Sequence, residues 1–409
     1  MANKKYTFID LFAGCGGLSE GFYRLGFKAL AHVEINHWAC ETLRTRMRHY
    51  GYKNFDKEVI EHDITASDII DRIDEAVAGR KVDIIIGGPP CQAYSTAGRV
   101  RDAKGMAKDP RNYLFESYVK ILEHYSPKFF VFENVTGLLS AKVDGSSIFP
   151  KIIKALGHNY NVVNDPSVLV HNTADYGVPQ IRKRVIIMGV RKDIDKVSVN
   201  DLYHDVIKTH WNPDTVEEER AGKTKYVDIK QAIGDLPPVA PGCDASTDKF
   251  EYPCNNAFLK RIGKKGEHPL YDHIARNHNA LDRERFTVMI HNHWTFGQLR
   301  RNMPQYEHEH ARLFDNSYVV QWWELPSKTI LAHIHKDGFQ FIHPDEKQAR
   351  SFTVREAARI QSFPDDFEFA GSRGEKYKHC LYLQPIITQY FIDNKSEIWL
   401  LFLIAHSKR

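Results

Sequence analysis

The sequence predicts an α/β protein, in which a parallel sheet is followed by a smaller and less regular domain. Residues 6–190 alternate short apolar runs with stretches of helical periodicity, the pattern of strands connected by helices. A glycine-rich turn directly follows the first apolar run. From about residue 191 the alternation gives way to segments rich in Pro, Gly, Asp and Lys. We therefore expect a sheet domain over 1–190, an irregular region over 191–349, a closing element over 350–376 and a final segment over 377–409.

The candidate strands are short and rich in β-branched and aromatic residues. They cover Tyr6–Phe12, Lys28–Glu34, Val82–Ile86, Phe129–Glu133, Asn161–Leu169 and Arg184–Val190. Sheets of this kind bind their ligands at the carboxyl ends of the strands, so the side chains that follow these runs are the first candidates for a site.

Bulk properties exclude several classes of protein. The chain has 409 residues, enough for two or three domains, and a formal net charge of +4 that neither demands nor excludes nucleic-acid binding. Its six cysteines form no Cys-x-x-Cys pair, so we expect no metal and a reduced compartment. We expect no signal peptide, because residues 1–6 are polar and lead straight into a strand, and the apolar run Ile398–Ala405 is far shorter than the roughly 20 residues of a membrane span. We expect a cytoplasmic protein, most simply a monomer.

The turn after the first strand predicts a nucleotide site. Glycines at 14, 16 and 17 let the backbone approach a ligand closely. Glu34 ends the second strand about 20 residues later, where an acid can bind both ribose hydroxyls, and Asp63 is placed to accept from an adenine amine. Asp10 precedes the glycines and would repel a pyrophosphate but attract an ammonium group. This pattern favours S-adenosylmethionine over NAD.

A second stretch, Gly87-Gly88-Pro89-Pro90-Cys91-Gln92, follows the third candidate strand. The glycines and prolines end that strand abruptly and place Cys91 at the ligand edge of the sheet. Taken alone, Cys91 is more easily explained as a small buried side chain than as a nucleophile.

Five motifs in chain order resemble those of the cytosine-C5 DNA methyltransferases, over roughly residues 6–190 and 350–369. They are Asp10-Leu11-Phe12-Ala13-Gly14-Cys15-Gly16-Gly17, Gly88-Pro89-Pro90-Cys91-Gln92, Phe132-Glu133-Asn134-Val135, Gln180-Ile181-Arg182-Lys183-Arg184, and the run from Arg350 to Pro364 that contains Arg355-Glu356-Ala357-Ala358-Arg359.

The resemblance implies a Rossmann-like S-adenosylmethionine-dependent methyltransferase sheet with a target-recognition region at 191–349. It also implies methyl transfer to carbon 5 of a flipped-out cytosine in double-stranded DNA, and a functional pairing with a restriction endonuclease. Cys91 would attack carbon 6, Glu133 would act at N3, and Asn134 would brace the turn. Arg182 and Arg184 would contact the base and the backbone near the thiolate, both pointing to one face of the site. Desolvation at the end of an apolar strand would raise the pKa of Glu133.

The resemblance also implies the binding residues. Those for the cofactor are Asp10, Phe12, Ala13, Gly14, Gly16, Gly17, Glu34, Ile35, Asp63, Ile64, Pro89 and Leu114. Residues 94–111 form a basic loop suited to closing over the pocket, and residues 256–301 hold nine Lys or Arg against four Asp or Glu. The expected DNA contacts are Gln92, Ser95, Arg99, Arg101, Arg276, Arg283, Arg285 and Arg300.

The resemblance fails near the end of the chain. The family's Gly-Asn-Ala-Val-Pro motif is expected soon after Tyr377, but the chain continues His379-Cys380-Leu381-Tyr382-Leu383. We therefore expect that a frame change or recombination has replaced this segment, which would normally return to the catalytic domain.

Three alternatives stay open from the sequence. One is a tRNA cytosine-5 methyltransferase, and another is a DNA-binding relative whose catalysis is impaired by the altered C-terminus. A nicotinamide oxidoreductase is the third, although it would leave Cys91, Glu133 and the two arginines unexplained.

Overall fold

The computed structural model describes residues 6–90, 113–143, 145–263, 265–307 and 317–380. These residues divide into two compact units. Named after the roles that the resemblance implies, the catalytic unit comprises the described residues of 6–172 and 183–208, and the recognition unit comprises those of 173–182 and 209–380.

The catalytic unit alternates strands and helices, as predicted. Its strands are β1 (Thr7–Leu11), β2 (Lys28–Glu34), β3 (Val59–Glu61), β4 (Ile84–Gly87), β5 (Phe129–Val135), β6 (Lys142–Val143), β7 (Ser146–Ser147), β8 (Tyr160–Val162), β9 (Val170–Asn172) and β10 (Lys183–Arg191). Its helices are α1 (Gly17–Arg24), α2 (His37–His49), α3 (Phe55–Glu58), α4 (Ile69–Val77), α5 (Leu114–Tyr125), α6 (Ile148–Leu156), α7 (Pro166–Leu169) and α8 (Val199–His204).

One mixed sheet organises this unit, in the order β3-β2-β1-β4-β5-β10-β8, with β9 paired to β10. The strands from β3 to β5 are parallel, whereas β10 runs antiparallel to β5. The central strands are apolar and buried on both faces, as in Ile84-Ile85-Ile86 and Phe129-Phe130-Val131-Phe132, which is typical of parallel strands in α/β proteins. The all-parallel sheet expected from the sequence is therefore wrong at its β10 side.

The predicted strand Asn161–Leu169 is only partly correct. The extended segment is Tyr160–Val162, and residues Pro166–Leu169 form the short helix α7. Asp165 caps this helix by accepting a hydrogen bond from the Ser167 amide, and Pro166 occupies its first turn. Both are local signals for a helix start that the apolar run had masked.

The recognition unit contains short elements joined by long irregular segments. Its strands are β11 (His210–Trp211), β12 (Thr224–Lys225), β13 (Thr247–Tyr252) and β14 (Gly266–Leu270). Its helices are α9 (Ile229–Ile233), α10 (Ala257–Ile262), α11 (Ala280–His291), α12 (Phe296–Asn302), α13 (Val354–Ile360) and α14 (Arg373–His379). Among the described helices, none is long and apolar enough to cross a membrane.

The boundary between the units differs from the expected residue 190. Residues 191–208 lie with the sheet because the Tyr203 hydroxyl donates to Ile186 O at 3.0 Å and accepts from the Met188 amide at 2.7 Å. Residues 173–182 lie in the recognition unit, where the Ile181 amide donates to Ser327 O at 2.8 Å. Long-range contacts therefore determine the boundary, and the composition shift at 191 marks only the end of β10.

Buried ion pairs hold the closing element of the recognition unit. Arg350 binds Glu356 with both Nη atoms at 2.7 Å, and Arg359 binds Asp365 at 2.7 Å and Asp235 at 2.5 Å. Tyr377 belongs to the same unit, since its hydroxyl donates to Phe352 O at 2.6 Å. The predicted return of residues 377–409 to the catalytic domain is thus not seen for 377–380, and the rest lies outside the described residues.

Candidate active site

The glycine-rich loop leaves β1 in a left-handed conformation. Phe12 has a φ of 59°, and Gly14 and Gly16 have φ values of 56° and 86°. A Cβ atom on Gly16 would lie 2.6 Å from Leu43 Cδ2, so close packing against α2 also requires glycine there. The left-handed conformation is strained for Phe12, whose side chain is half-exposed. Backbone strain of this kind is concentrated at ligand sites.

Asp10 lies beneath this loop, fully buried. Its Oδ2 accepts a hydrogen bond from Ser19 Oγ at 2.5 Å, while its Oδ1 has no hydrogen-bond partner among the described residues. Burial raises the pKa of Asp10 from 3.8 to about 8. A buried carboxyl with one unpartnered oxygen fits a cationic group or a hydrogen-bond donor on a ligand. Sequence reasoning missed Ser19, whose place on the first turn of α1 was a usable signal.

Glu34 ends β2 beside the same loop. Its Oε2 accepts the Gly14 amide at 2.8 Å, and its Oε1 accepts the amides of Ile35 and Asn36 at 2.9 and 2.8 Å. Burial raises the pKa of Glu34, and these three hydrogen bonds oppose the shift. The side chain of Ile35 is 67% exposed next to this carboxylate, an unusual exposure for isoleucine and one that suits contact with a flat ligand.

The remaining predicted cofactor residues lie in the glycine-rich loop, after β3 and β4, or at the start of a helix. Asp63 is exposed, and hydrogen bonds from the Thr65 amide and hydroxyl, both 2.8 Å, lower the pKa of Asp63. Ile64 and Pro89 are buried, whereas Leu114 is half-buried at the start of α5. Ala13 and Gly17 are buried within the loop and the first turn of α1.

The segment before Cys91 is positioned by two neighbouring strands. Gly87 ends β4, and a Cβ atom there would lie 2.3 Å from Leu11 O, so β1 and β4 can approach this closely only at a glycine. Asn134 Nδ2 donates to Pro89 O at 3.2 Å, which confirms that Asn134 braces this turn. The predicted residues Cys91, Gln92, Ser95, Arg99 and Arg101 lie outside the described residues.

Glu133 and Arg184 form an ion pair at the ends of β5 and β10. Glu133 lies opposite Ile186, and Arg184 lies opposite Val135, so the two side chains are diagonal neighbours on one face. Arg184 Nε and Glu133 Oε1 are 2.8 Å apart, with the side chains 10% and 14% exposed. A guanidinium at this distance favours an ionised carboxyl, so the ion pair acts against the desolvation expected from the sequence.

Arg182 belongs to the recognition unit rather than to the sheet. It is buried, and its Nη1 donates to Ile330 O at 2.9 Å. The structure thus brings Arg184 to Glu133 and holds Arg182 against a segment that is distant in sequence.

The predicted DNA contacts of the recognition unit need correction. Arg285 is buried, bound to Asp282 at 2.8 Å and to Tyr306 O at 3.0 Å. Arg276 is also buried, since its Nη1 donates to Lys336 O at 2.5 Å and its guanidinium lies 4.4 Å from the Tyr377 ring centroid. These two arginines support the fold of the unit. Arg283 is exposed, and Arg300 is half-exposed over the Phe296 ring.

Comparison with known proteins places the chain in a family. A model of C-5 cytosine-specific DNA methylases matches residues 6–380. The type II methyltransferase M.Bpa9945I of Bacillus paralicheniformis is 34% identical over 432 residues, covering 90% of this chain and 93% of that protein. M.DdeI of Desulfomicrobium norvegicum is 34% identical over 374 residues, covering 89% of this chain and 80% of that protein.

Solved structures agree with this placement at the level of the fold. A DNA modification methyltransferase encoded within an E. coli prophage has a TM-score of 0.69 at 23% identity, covering 97% of this chain and 100% of that chain. The methyltransferase EhMeth of Entamoeba histolytica has a TM-score of 0.54 at 15% identity, covering 97% and 99%. The predicted methyltransferase fold is therefore confirmed, and the chain belongs to the C-5 cytosine-specific DNA methylase family as a DNA cytosine-5-methyltransferase.

Proposed function

We propose that this chain transfers the methyl group of S-adenosylmethionine to carbon 5 of a flipped-out cytosine in a specific double-stranded DNA sequence. The observation that carries the proposal is the coupling of two motifs at adjacent strand ends. Glu133 is paired with Arg184, and the next residue, Asn134, holds Pro89 two positions before Cys91. Glu133 and the turn that leads to Cys91 are thus held at neighbouring strand ends of one sheet, which supports the proposal.

The thiolate of Cys91 forms a bond to carbon 6 of cytosine. The π electrons of the C5–C6 double bond then shift onto carbon 5 and, by conjugation through carbon 4, onto N3. Glu133 acts at N3 only in its protonated form, which burial favours and the ion pair with Arg184 opposes; the proton donated there lowers the barrier by stabilising the developing negative charge. Arg184 orients Glu133 through the ion pair. Carbon 5 would then bond to the methyl group as that group's bond to the donor sulfur breaks, with the electron pair staying on the sulfur. A base would remove the C5 proton, the C5–C6 double bond would re-form as the Cys91 thiolate leaves carbon 6, and N3 would return its proton to Glu133.

The cofactor supplies an electrophilic methyl group when it is bound, and the described residues fit it. The unpartnered Oδ1 of Asp10 suits the ammonium of the methionyl part, since a buried carboxyl gains most from a cationic partner. Oε2 of Glu34 accepts one backbone amide, from Gly14, and keeps a second lone pair to which a ribose hydroxyl can donate, whereas Oε1 already accepts the amides of Ile35 and Asn36. Phe12 and Ile35 present apolar surface, and Asp63 a carboxylate, for the adenine.

The biological context follows from the relatives. M.Bpa9945I and M.DdeI are named as type II methyltransferases, which suggests that this chain also protects DNA against a partner restriction endonuclease. The family match that ends at residue 380 supports one competing function, a relative that binds DNA with impaired catalysis.

Transfer of tritiated methyl groups to unmethylated DNA, followed by bisulfite sequencing, tests the proposal. We expect incorporation at one sequence context in duplex DNA and none in tRNA. Cys91→Ala should lower the rate by on the order of 10³-fold or more. Cys243→Ala is the matched control, because Cys243 is an exposed thiol of the recognition unit. DNA binding without incorporation would establish the impaired relative, and full activity of Cys91→Ala would refute the covalent step.

A further inference from the structure

The end of helix α11 carries a histidine where the backbone favours glycine. The Trp294 amide donates to Met289 O at 2.9 Å and the His293 amide donates to Ile290 O at 3.2 Å, which together form a Schellman motif. In this motif the residue after the helix cap takes the left-handed conformation, and His293 has a φ of 54°. Glycine adopts this conformation without steric cost, so a histidine at the position is strained.

Trp322 fixes the plane of this histidine. The His293 and Trp322 rings are stacked, with centroids 4.7 Å apart and an interplanar angle of 18°. Trp322 packs in turn against the buried cluster that contains Phe286 and Met289. The imidazole is therefore held by its own backbone on one side and by a core-anchored indole on the other.

Among the described residues, the contact made by the strained His293 ring is the stack on Trp322, and this stack uses none of its polar atoms. The residue is exposed, and within the described part of the chain its ring nitrogens make no hydrogen bond. A strained, preorganised and exposed polar ring is the pattern of a group kept for an external partner.

Exposed charges on the helices before and after His293 indicate the chemistry of that partner. Arg283 is exposed on α11, and α12, which begins three residues after His293, carries the exposed Arg301 in its last turn. Exposed arginines on these two consecutive helices suit phosphates, which need charge but little directionality. An imidazole presents one donor and one acceptor in a fixed plane, which suits the directional contacts of a base edge.

We propose that His293 reads a base edge of the DNA target, with Trp322 as its platform. This inference rests on the proposed function and adds a specificity-determining residue to it. Two variants separate its parts. His293→Gly relieves the backbone strain and removes the ring, whereas His293→Phe keeps an aromatic ring on Trp322 but removes both nitrogens.

The test measures sequence preference independently of catalysis. Duplexes with a randomised segment are bound to the protein, the bound fraction is sequenced, and binding is repeated between 50 and 200 mM NaCl. We expect both variants to lose about tenfold in preference at one base pair, the usual scale of a base-edge contact, with the salt dependence unchanged. His293→Gly should keep or raise the Tm, because glycine suits the position.

Ala78→Gly is the matched control. Ala78 is also exposed and left-handed after a helix, α4, but lies in the catalytic unit. It should leave the base preference unchanged. Full retention of preference by both His293 variants would overturn the inference while leaving the proposed function intact. Uniform weakening with a salt slope smaller by about one would instead assign a phosphate contact and overturn base reading. A wild-type protein that selects no sequence would overturn both proposals.

Discussion

Asp10→Asn should remove a loss of stability that the free wild-type protein undergoes as the pH rises, and it should weaken cofactor binding. The pKa of Asp10 is raised by burial from 3.8 to about 8. Because the folded-state pKa lies above the unfolded one, the contribution of Asp10 to stability is present below pH 4 and is lost as the pH rises towards 8. At pH 7 the pKa of the unfolded side chain lies about three pH units below the solution pH. The wild type therefore loses about 4 kcal/mol relative to a neutral side chain.

The asparagine variant lacks this titration but leaves part of its amide unpartnered, which costs about 1–3 kcal/mol at every pH. The pH dependence of the unfolding free energy therefore distinguishes the titration of Asp10 from the constant cost of the amide. The unfolding free energy of the wild type should fall relative to Asp10→Asn by about 1.4 kcal/mol per pH unit between pH 5 and 7.5.

Urea unfolding of both proteins across this pH range measures the slope, and isothermal titration with S-adenosylmethionine measures the ligand. Asp195→Asn, at an exposed aspartate of the same unit, is the matched control and should follow the wild type. A constant difference between wild type and Asp10→Asn at all pH values would refute the raised pKa. Wild-type cofactor affinity in Asp10→Asn would refute the role of the free oxygen.

Three further predictions follow from the described contacts. Asn134→Ala should lower the free energy of unfolding by about 1–3 kcal/mol, because it leaves the buried Pro89 carbonyl without its donor. It should also lower kcat more than it raises KM, and an unchanged kcat would contradict the bracing role. Burial lowers the pKa of His343 to about 3 and that of His278 to about 4, so their contribution to stability is present above pH 6.5 and is lost as the pH falls. At pH 5 each histidine should lower the free energy of unfolding by about 2 kcal/mol. The Tm at pH 5 should therefore fall, and His343→Gln should partly restore it. Arg285→Ala should lower the Tm, whereas Arg283→Ala should keep the Tm and reduce the salt slope of DNA binding by about one; equal effects on both measurements would contradict the burial difference.

Much of the catalytic unit could be predicted from local patterns. The strand Lys28–Glu34 was correct at both ends, because its run of apolar side chains and the acid that ends it are adjacent in sequence. The glycine-rich loop and the Pro-Pro-Cys turn were recognisable for the same reason, since turns and strand ends depend on a few neighbouring residues. The direction of β10 was not predictable, because periodicity describes the side chains of a strand but not its partner.

The sequence by itself determined the class of the protein, through a sheet with a glycine-rich loop after its first strand and five motifs in the order of one family. Only the tertiary structure decided which charged groups form ion pairs, which are buried and which stay exposed. It paired Glu133 with Arg184 across an antiparallel register, buried Arg276 and Arg285 as supports, and set His293 on Trp322. The physical reason is that residue type and spacing encode local conformation, whereas the burial and partner of a charge depend on contacts between segments far apart in the chain.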